Sequence, residues 1–190
     1  MLKKKSNILI PVFMVGLLVI LLVFYSSLMI TGLHETFPEN KLYVGKKSRI
    51  EALKLENVLD VPFIFQKPWY CSEASASMVL QYYGYNFTQD QIHNLGYDRF
   101  ENMLPFIQKY VNSHYDSLKI DDLKREVDEG KPVIIRVLSG NYLHTVVVVG
   151  YDENYIYIHD PAVGAYLQTN PKTLLKIWEP TNFKAIVFDV

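Results

Sequence analysis

Four polar residues of this chain have types and spacing suited to nucleophilic chemistry: Gln66, Cys71, His144 and Asp160. Cys71 follows Trp69-Tyr70 and opens the run CSEASASMVLQYY, small residues first and apolar ones after, ahead of Gly84. That pattern predicts a buried helix over 71–83 with a glycine stop. A thiol at a helix start meets unpaired N–H groups and the positive end of the helix dipole, both of which stabilise a thiolate. A buried structural cysteine is the competing reading. His144 enters the apolar run of YLHTVVVVG, either as a general base or as a strand histidine with its ring hydrogen-bonded. Asp160 either orients that ring or simply ends a strand at Asp160-Pro161. Gln66 lies five positions before Cys71. Its side-chain amide and the backbone N–H of Cys71 would supply two donors to an oxyanion near the sulfur. A solvated polar residue at a strand end is the alternative.

Whether His144 and Asp160 can meet depends on the parity of one hairpin. Asp152-Glu153-Asn154 is a turn signal between two β-rich runs. If those residues form the loop, Tyr151 pairs with Tyr155 and His144 lies opposite Ala162. Asp160 then shares a face with His144, diagonal to it and about 7–8 Å away by backbone, within side-chain reach. A two-residue loop would put the two on opposite faces. In this register His159 points away from the pair, and His93 and His114 read as surface residues.

The elements that must carry these residues follow from local pattern. Val58–Phe65 reads as a strand with a proline at an edge or bend. Thr88-Gln-Asp-Gln91 fits a capping box opening a short helix to about Leu95. Phe100–Val111 and Ile120–Glu129 are further helices. Pro132–Leu138, Leu143–Tyr151, Tyr155–His159 and Ala185–Val190 are strands, and Pro171 opens a helix capped by Thr169 or Asn170. Helices first and then mostly antiparallel strands make an α+β domain.

Composition bounds what that domain does. The 190 residues carry 19 Lys+Arg against 20 Asp+Glu, a net charge of −1, without the cationic excess that nucleic-acid binding requires. One cysteine closes no intrachain disulfide and builds no thiolate metal centre, and no dense His/carboxylate cluster replaces it. No cofactor and no metal are therefore expected. Ile8–Ile30 is an uncharged stretch of 23 residues. At ~1.5 Å per residue it spans about 34 Å, enough for a ~30 Å hydrocarbon core. It lacks the small-residue cleavage site of a signal peptide and reads as a retained signal-anchor. The expected organisation is a basic tail over 1–7, the anchor over 8–30, a juxtamembrane linker over 31–56 and a catalytic domain over 57–190. Lys3, Lys4 and Lys5 keep the N-terminus in the cytoplasm, so the domain would face outward at the cell membrane.

Two blocks, VPFIFQKPWYCSEASASMVLQYYG and HTVVVVGYDENYIYIHDP, resemble the papain-like cysteine peptidases of the bacteriocin-processing kind, the double-glycine-leader peptidases and their stand-alone relatives. The resemblance runs from about Asp60 to the C-terminus. It implies a papain-like fold, with Cys71 as nucleophile, His144 as general base, Asp160 as orienting residue and Gln66 as oxyanion-hole amide. The implied protein is a tethered cysteine peptidase that cleaves a peptide substrate through a thioester. The rival is a catalytically silent papain-like module that binds a peptide or membrane partner. It draws on Ser72 where relatives often have glycine, on Glu73 opposing a thiolate, and on the short Gln66 to Cys71 step.

Overall fold

A computed structural model describes residues 57–190. The expected tail, anchor and linker lie outside the described residues. Among the described residues no helix is long and apolar enough to cross a membrane. The chain enters through helices α1 (Cys71–Tyr82), α2 (Gln89–Asn94) and α3 (Phe100–Ile107). Then come β1 (Ser113–Ser117), α4 (Ile120–Asp128), β2 (Val133–Ser139), β3 (Tyr142–Tyr151), β4 (Ile156–Asp160) and β5 (Gly164–Thr169). Helix α5 (Pro171–Trp178) and β6 (Lys184–Phe188) close it. The strands form one antiparallel sheet in the order β1-β6-β2-β3-β4-β5. This is the expected α+β class.

Both faces of the sheet are covered, which explains why β3 carries an unbroken valine run rather than an apolar/polar alternation. Val147 and Val149 pack with Met78 and Leu80 of α1 and Phe106 of α3. Val146 and Val148 face the other way, into a cluster with Leu123 of α4 and Trp178 of α5. Local signals set most element ends. Thr88 and Gln91 make the reciprocal capping box of α2, and the Asn170 side chain caps α5 with Pro171 in its first turn.

Three expectations are corrected. Val58–Phe65 forms no strand; it runs extended and makes a single bridge, Val58 to Gly150. β2 begins at Val133, opposite Val148, so this segment takes over the vacant side of β3: Leu59 N–H donates to Val149 O at 2.8 Å and Tyr151 N–H to Asn57 O at 3.0 Å. Gly150 is required by that approach, since a Cβ there would lie 2.7 Å from Val58 Cγ2 and 2.8 Å from Asn57 O. Second, β1 and β5 were not anticipated. SHYDS is almost wholly exposed and polar, and it is a strand because β6 offers it an edge.

Third, the β3–β4 loop differs from the expected one. Tyr151 pairs with Ile156, not Tyr155, leaving a four-residue loop built on Asp152, whose Oδ1 accepts the Asn154 and Tyr155 N–H groups at 2.7 Å each. An even loop alone would send His144 and Asp160 to opposite faces. A register shift between Val148 and Gly150 leaves Val149 unpaired and restores the parity, so that Val148 pairs with Ile158 and Val147 with His159. Continued to the strand end, that register puts His144 opposite Ala162, as expected, by a different route.

Candidate active site

Cys71 is the first residue of α1, where the backbone N–H groups of the opening turn have no helical partner. The chain reaches it through a turn closed by Tyr70 N–H to Lys67 O at 3.0 Å, with Pro68 and Trp69 at its centre. Trp69 adopts φ 70°, a conformation normally reserved for glycine, and its indole stands 76% exposed at the edge of the site. Just before this turn, Gln89 of α2 clasps the main chain on both sides of Gln66. Its Oε1 accepts Lys67 N–H at 2.8 Å and its Nε2 donates to Phe65 O at 2.9 Å. Gln66 N–H itself donates to Pro161 O at 2.9 Å, beside Asp160.

At the far end of the β3–β4 ladder, His144 Nε2 meets Asp160 Oδ1 at 2.7 Å. Both side chains are more than four-fifths buried, where a charge-assisted bond is screened little. Asp160 Oδ1 also accepts Ala162 N–H at 2.9 Å, which fixes the carboxylate. With Nε2 engaged there, Nδ1 is the ring nitrogen left to serve Cys71, which lines the same cleft. Burial pushes the Cys71 thiol up, but the hydrogen bond and charge of His144, joined by the side chain and backbone of Thr145, outweigh it and hold the thiol below its ordinary value. At His144 burial favours the neutral ring, yet the hydrogen bonds to Asp160 and Cys71 push it up to about 9. The two shifts are complementary: each group stabilises the charge of the other, so the pair favours thiolate and imidazolium.

Behind the sulfur lies a buried polar network. Ser72 Oγ and Thr145 Oγ1 are 2.9 Å apart, and Arg136 Nη1 of β2 donates to Thr145 Oγ1 at 2.9 Å. Ser72 is thus occupied in tying α1 to the sheet. Glu73, expected to oppose the thiolate, is turned instead to His93 Nδ1 at 2.8 Å. Positions two apart on a helix do not share a face. Burial pushes the Glu73 carboxyl up, against the opposing hydrogen bond and charge of His93. His93 also stacks on Tyr70 with centroids 4.2 Å apart, so Tyr70 supports α2 while Trp69 lines the cleft.

Gln66, Cys71, His144 and Asp160 all line one cleft of about 310 Å³. Gln66 Oε1 is buried without a hydrogen-bond partner among the described residues. Trp69 and Tyr142, edge to face at 5.8 Å, wall one part of the cleft. His159 is fully buried, its Nε2 on Val61 O at 3.0 Å and its Nδ1 accepting Tyr166 N–H at 3.1 Å, so it is held as a neutral core ring. His114 pairs with Asp189 at the surface. Among the described residues no group of His, Cys, Asp and Glu is placed to hold a metal ion. Sequence reasoning missed Thr145, Arg136 and Gln89. Arg136 did carry a signal, a cation inside the apolar strand VIIRVL, where charge survives burial only with partners.

Residues 58–186 match the model of the Peptidase_C39 like family. Among solved structures, the chain is similar to a C39-like peptidase from Bacillus anthracis, with 20% identity, 71% of this chain and 98% of that one covered, and a TM-score of 0.62. It is also similar to a double glycine motif protease from an AMS/PCAT transporter, solved in complex with the leader peptide. There the identity is 23%, the coverage 70% of this chain and 94% of that one, and the TM-score 0.56. A third similar structure is the peptidase domain of Streptococcus ComA, a bi-functional ABC transporter of a quorum sensing pathway, with 19% identity, coverage of 66% and 95%, and a TM-score of 0.54. No curated protein matches the chain.

Proposed function

The chain belongs to the Peptidase_C39 like family and is a cysteine-type peptidase, and from that premise we propose that it hydrolyses peptide bonds with Cys71, His144, Asp160 and Gln66. The observation that carries this reading is the placement of one imidazole: His144 hydrogen-bonds Asp160 through Nε2, which leaves its other nitrogen for the Cys71 thiol on the same cleft. The Cys71 thiolate attacks the scissile carbonyl carbon, forming the S–C bond as the carbonyl π pair moves onto oxygen. The Gln66 amide and the Cys71 backbone N–H receive that charge. The C–N bond then breaks while the His144 imidazolium gives its proton to the leaving amine, which yields the thioester. His144, now neutral, takes a proton from water as the water attacks the thioester. The acid leaves and the thiolate–imidazolium pair is restored.

The substrate is an extended peptide laid along the cleft that Trp69, Tyr142 and Val163 line. The double glycine motif protease among the similar structures, solved with its leader peptide, makes a leader peptide with a Gly-Gly pair the first probe to use. Full-length chain incubated with such a peptide is expected to release two fragments, read by mass spectrometry, with cleavage after the pair. A peptide that binds yet stays whole would instead favour the catalytically silent module.

The anchor also belongs to this proposal: residues 8–30 hold the domain at the cell membrane, facing outward. After alkaline carbonate extraction of expressing cells the chain is expected in the membrane pellet, and its release into the supernatant would remove the anchor.

Gln89 gives the oxyanion assignment its own test. Gln89→Leu keeps the bulk and removes both bonds that frame Gln66. The expected result is a fall in kcat of roughly tenfold, part of the ~10²–10³ an oxyanion donor supplies, with KM little changed. The reactivity of Cys71 towards alkylation should be unaltered, because the Cys71–His144 pair is untouched. A variant with wild-type kcat would separate the clasp from catalysis.

A further inference from the structure

The segment from Gln66 to Cys71 carries one oxyanion donor at each end, the Gln66 amide and the Cys71 backbone N–H, so its shape sets how far apart the two stand. That shape is strained. Trp69 holds φ 70°, a conformation that a residue other than glycine keeps only where its surroundings over-determine it. The short helix α2 grips the segment on both sides of Trp69. On one side Gln89 brackets Gln66, through Lys67 N–H and Phe65 O, and Asp90 pairs with Lys67 Nζ at 2.6 Å. On the other side stands His93, four positions after Gln89 and on the same helix face. Its ring stacks on Tyr70, with centroids 4.2 Å apart and planes 14° from parallel. Its Nδ1 lies 2.8 Å from Glu73 Oε1. Tyr70 and Glu73 flank Cys71 along the chain. Glu73 is 1% exposed, and its Oε2 has no hydrogen-bond partner among the described residues, which leaves the His93 contact to hold the carboxyl. A buried polar group with one side-chain partner does not leave it without a large penalty, so the contact hooks the first turn of α1 to α2.

On the reading that makes Cys71 the nucleophile and Gln66 an oxyanion donor, we propose that His93 is a positioning residue for the oxyanion hole. Bonded to Glu73 and stacked on Tyr70, it fixes the Cys71 end of the segment while Gln89 fixes the Gln66 end, and α2 thereby sets the spacing of the two donors. His93 is not among the residues that line the cleft, so its effect passes through Tyr70 and Glu73. An oxyanion hole stabilises charge only where its donors already stand at the position that the oxygen reaches in the transition state. A loosened turn lets one donor drift from the other, which weakens the transition state and leaves the bound substrate as it was.

Two variants of the full-length chain separate the contacts of His93. His93→Phe keeps a ring on Tyr70 and removes the bond to Glu73. His93→Asn loses the ring but offers an amide, donor and acceptor both, at the place of Nδ1, and so serves Glu73 in either protonation state. His93→Phe is expected to lower kcat about tenfold, part of the ~10²–10³ that an oxyanion donor supplies, with KM and the pH profile of Cys71 alkylation unmoved. His93→Asn is expected to recover most of that loss. Combining His93→Phe with Gln89→Leu should cost well under the ~hundredfold product of two independent losses, because both changes open the same hole. Should His93→Phe not fold, His93→Phe with Glu73→Met, which removes both partners of the buried bond, takes its place with the same expected fall. A wild-type kcat in that variant overturns the proposal. Equal losses in the phenylalanine and asparagine variants overturn it too, since the Glu73 bond would then not matter. So does a multiplicative double variant, or an alkylation profile that moves with His93→Phe. Cleavage that survives Cys71→Ala would instead remove the underlying nucleophile, and this proposal with it.

Discussion

Cys71→Ala is expected to abolish peptide hydrolysis while leaving the fold and peptide binding in place. The side chain sits at the first position of α1, half-buried, and its loss opens no large cavity in the cores on either face of the sheet. What disappears is the atom that forms the thioester. Removing the nucleophile from a hydrolase that works through a covalent intermediate costs about 10⁶ in kcat. The residual rate should therefore fall beneath detection on a peptide that the wild-type chain cleaves. Cys71→Ser should be almost as inactive, since a hydroxyl next to an imidazolium is not deprotonated as a thiol is. Cleavage by the alanine variant at the wild-type rate would contradict the assignment.

His144→Ala carries the second largest effect and also alters the pH dependence. His144 acts twice, stabilising the thiolate and passing a proton to the leaving amine. General acid–base catalysis contributes about 10²–10⁴, so a loss of roughly 10³ in kcat is expected. In the wild-type chain the reactive form is thiolate with imidazolium. Activity should be lost on the acid side as pH falls through the depressed Cys71 value. On the alkaline side it should be lost as pH rises past about 9, where His144 gives up its proton. In His144→Ala the acid limb moves up towards an ordinary thiol and the alkaline limb near 9 vanishes. A variant that keeps both limbs would show that they belong to other groups.

The sequence made the chemistry more legible than the framework. Cys71 at a helix start could be read because small residues and a terminal glycine mark the helix. The Thr88 box and the Asn170-Pro171 start are local patterns with local causes. The His144–Asp160 relation was readable only as a condition on parity. The bulge that meets that condition sits within four consecutive valines, where nothing in the residue types says which one drops out of the ladder. The same holds for the segment after Asn57: its apolar, β-rich run predicts a strand, whereas the vacancy beside β3 accommodates only one bridge and two flanking bonds. The buried network at Thr145 could not have been assigned, because its partners Arg136 and Ser72 arrive from elements 9 and 73 positions away. Gln89 was hidden for the same reason, 22 and 24 positions from the main-chain groups it holds.

The most direct test of the central claim is the rate of Cys71 alkylation against pH in the full-length chain, with His144→Ala beside it. As the sole cysteine, Cys71 alone reports in such an assay. An activated pair gives a reactive thiolate well below the ~8.5 of an unperturbed cysteine, and a midpoint that climbs towards that value when His144 is removed. A thiol that titrates at or above ~8.5 in both chains would mean that Cys71 is not activated by His144, and the catalytic assignment would fall.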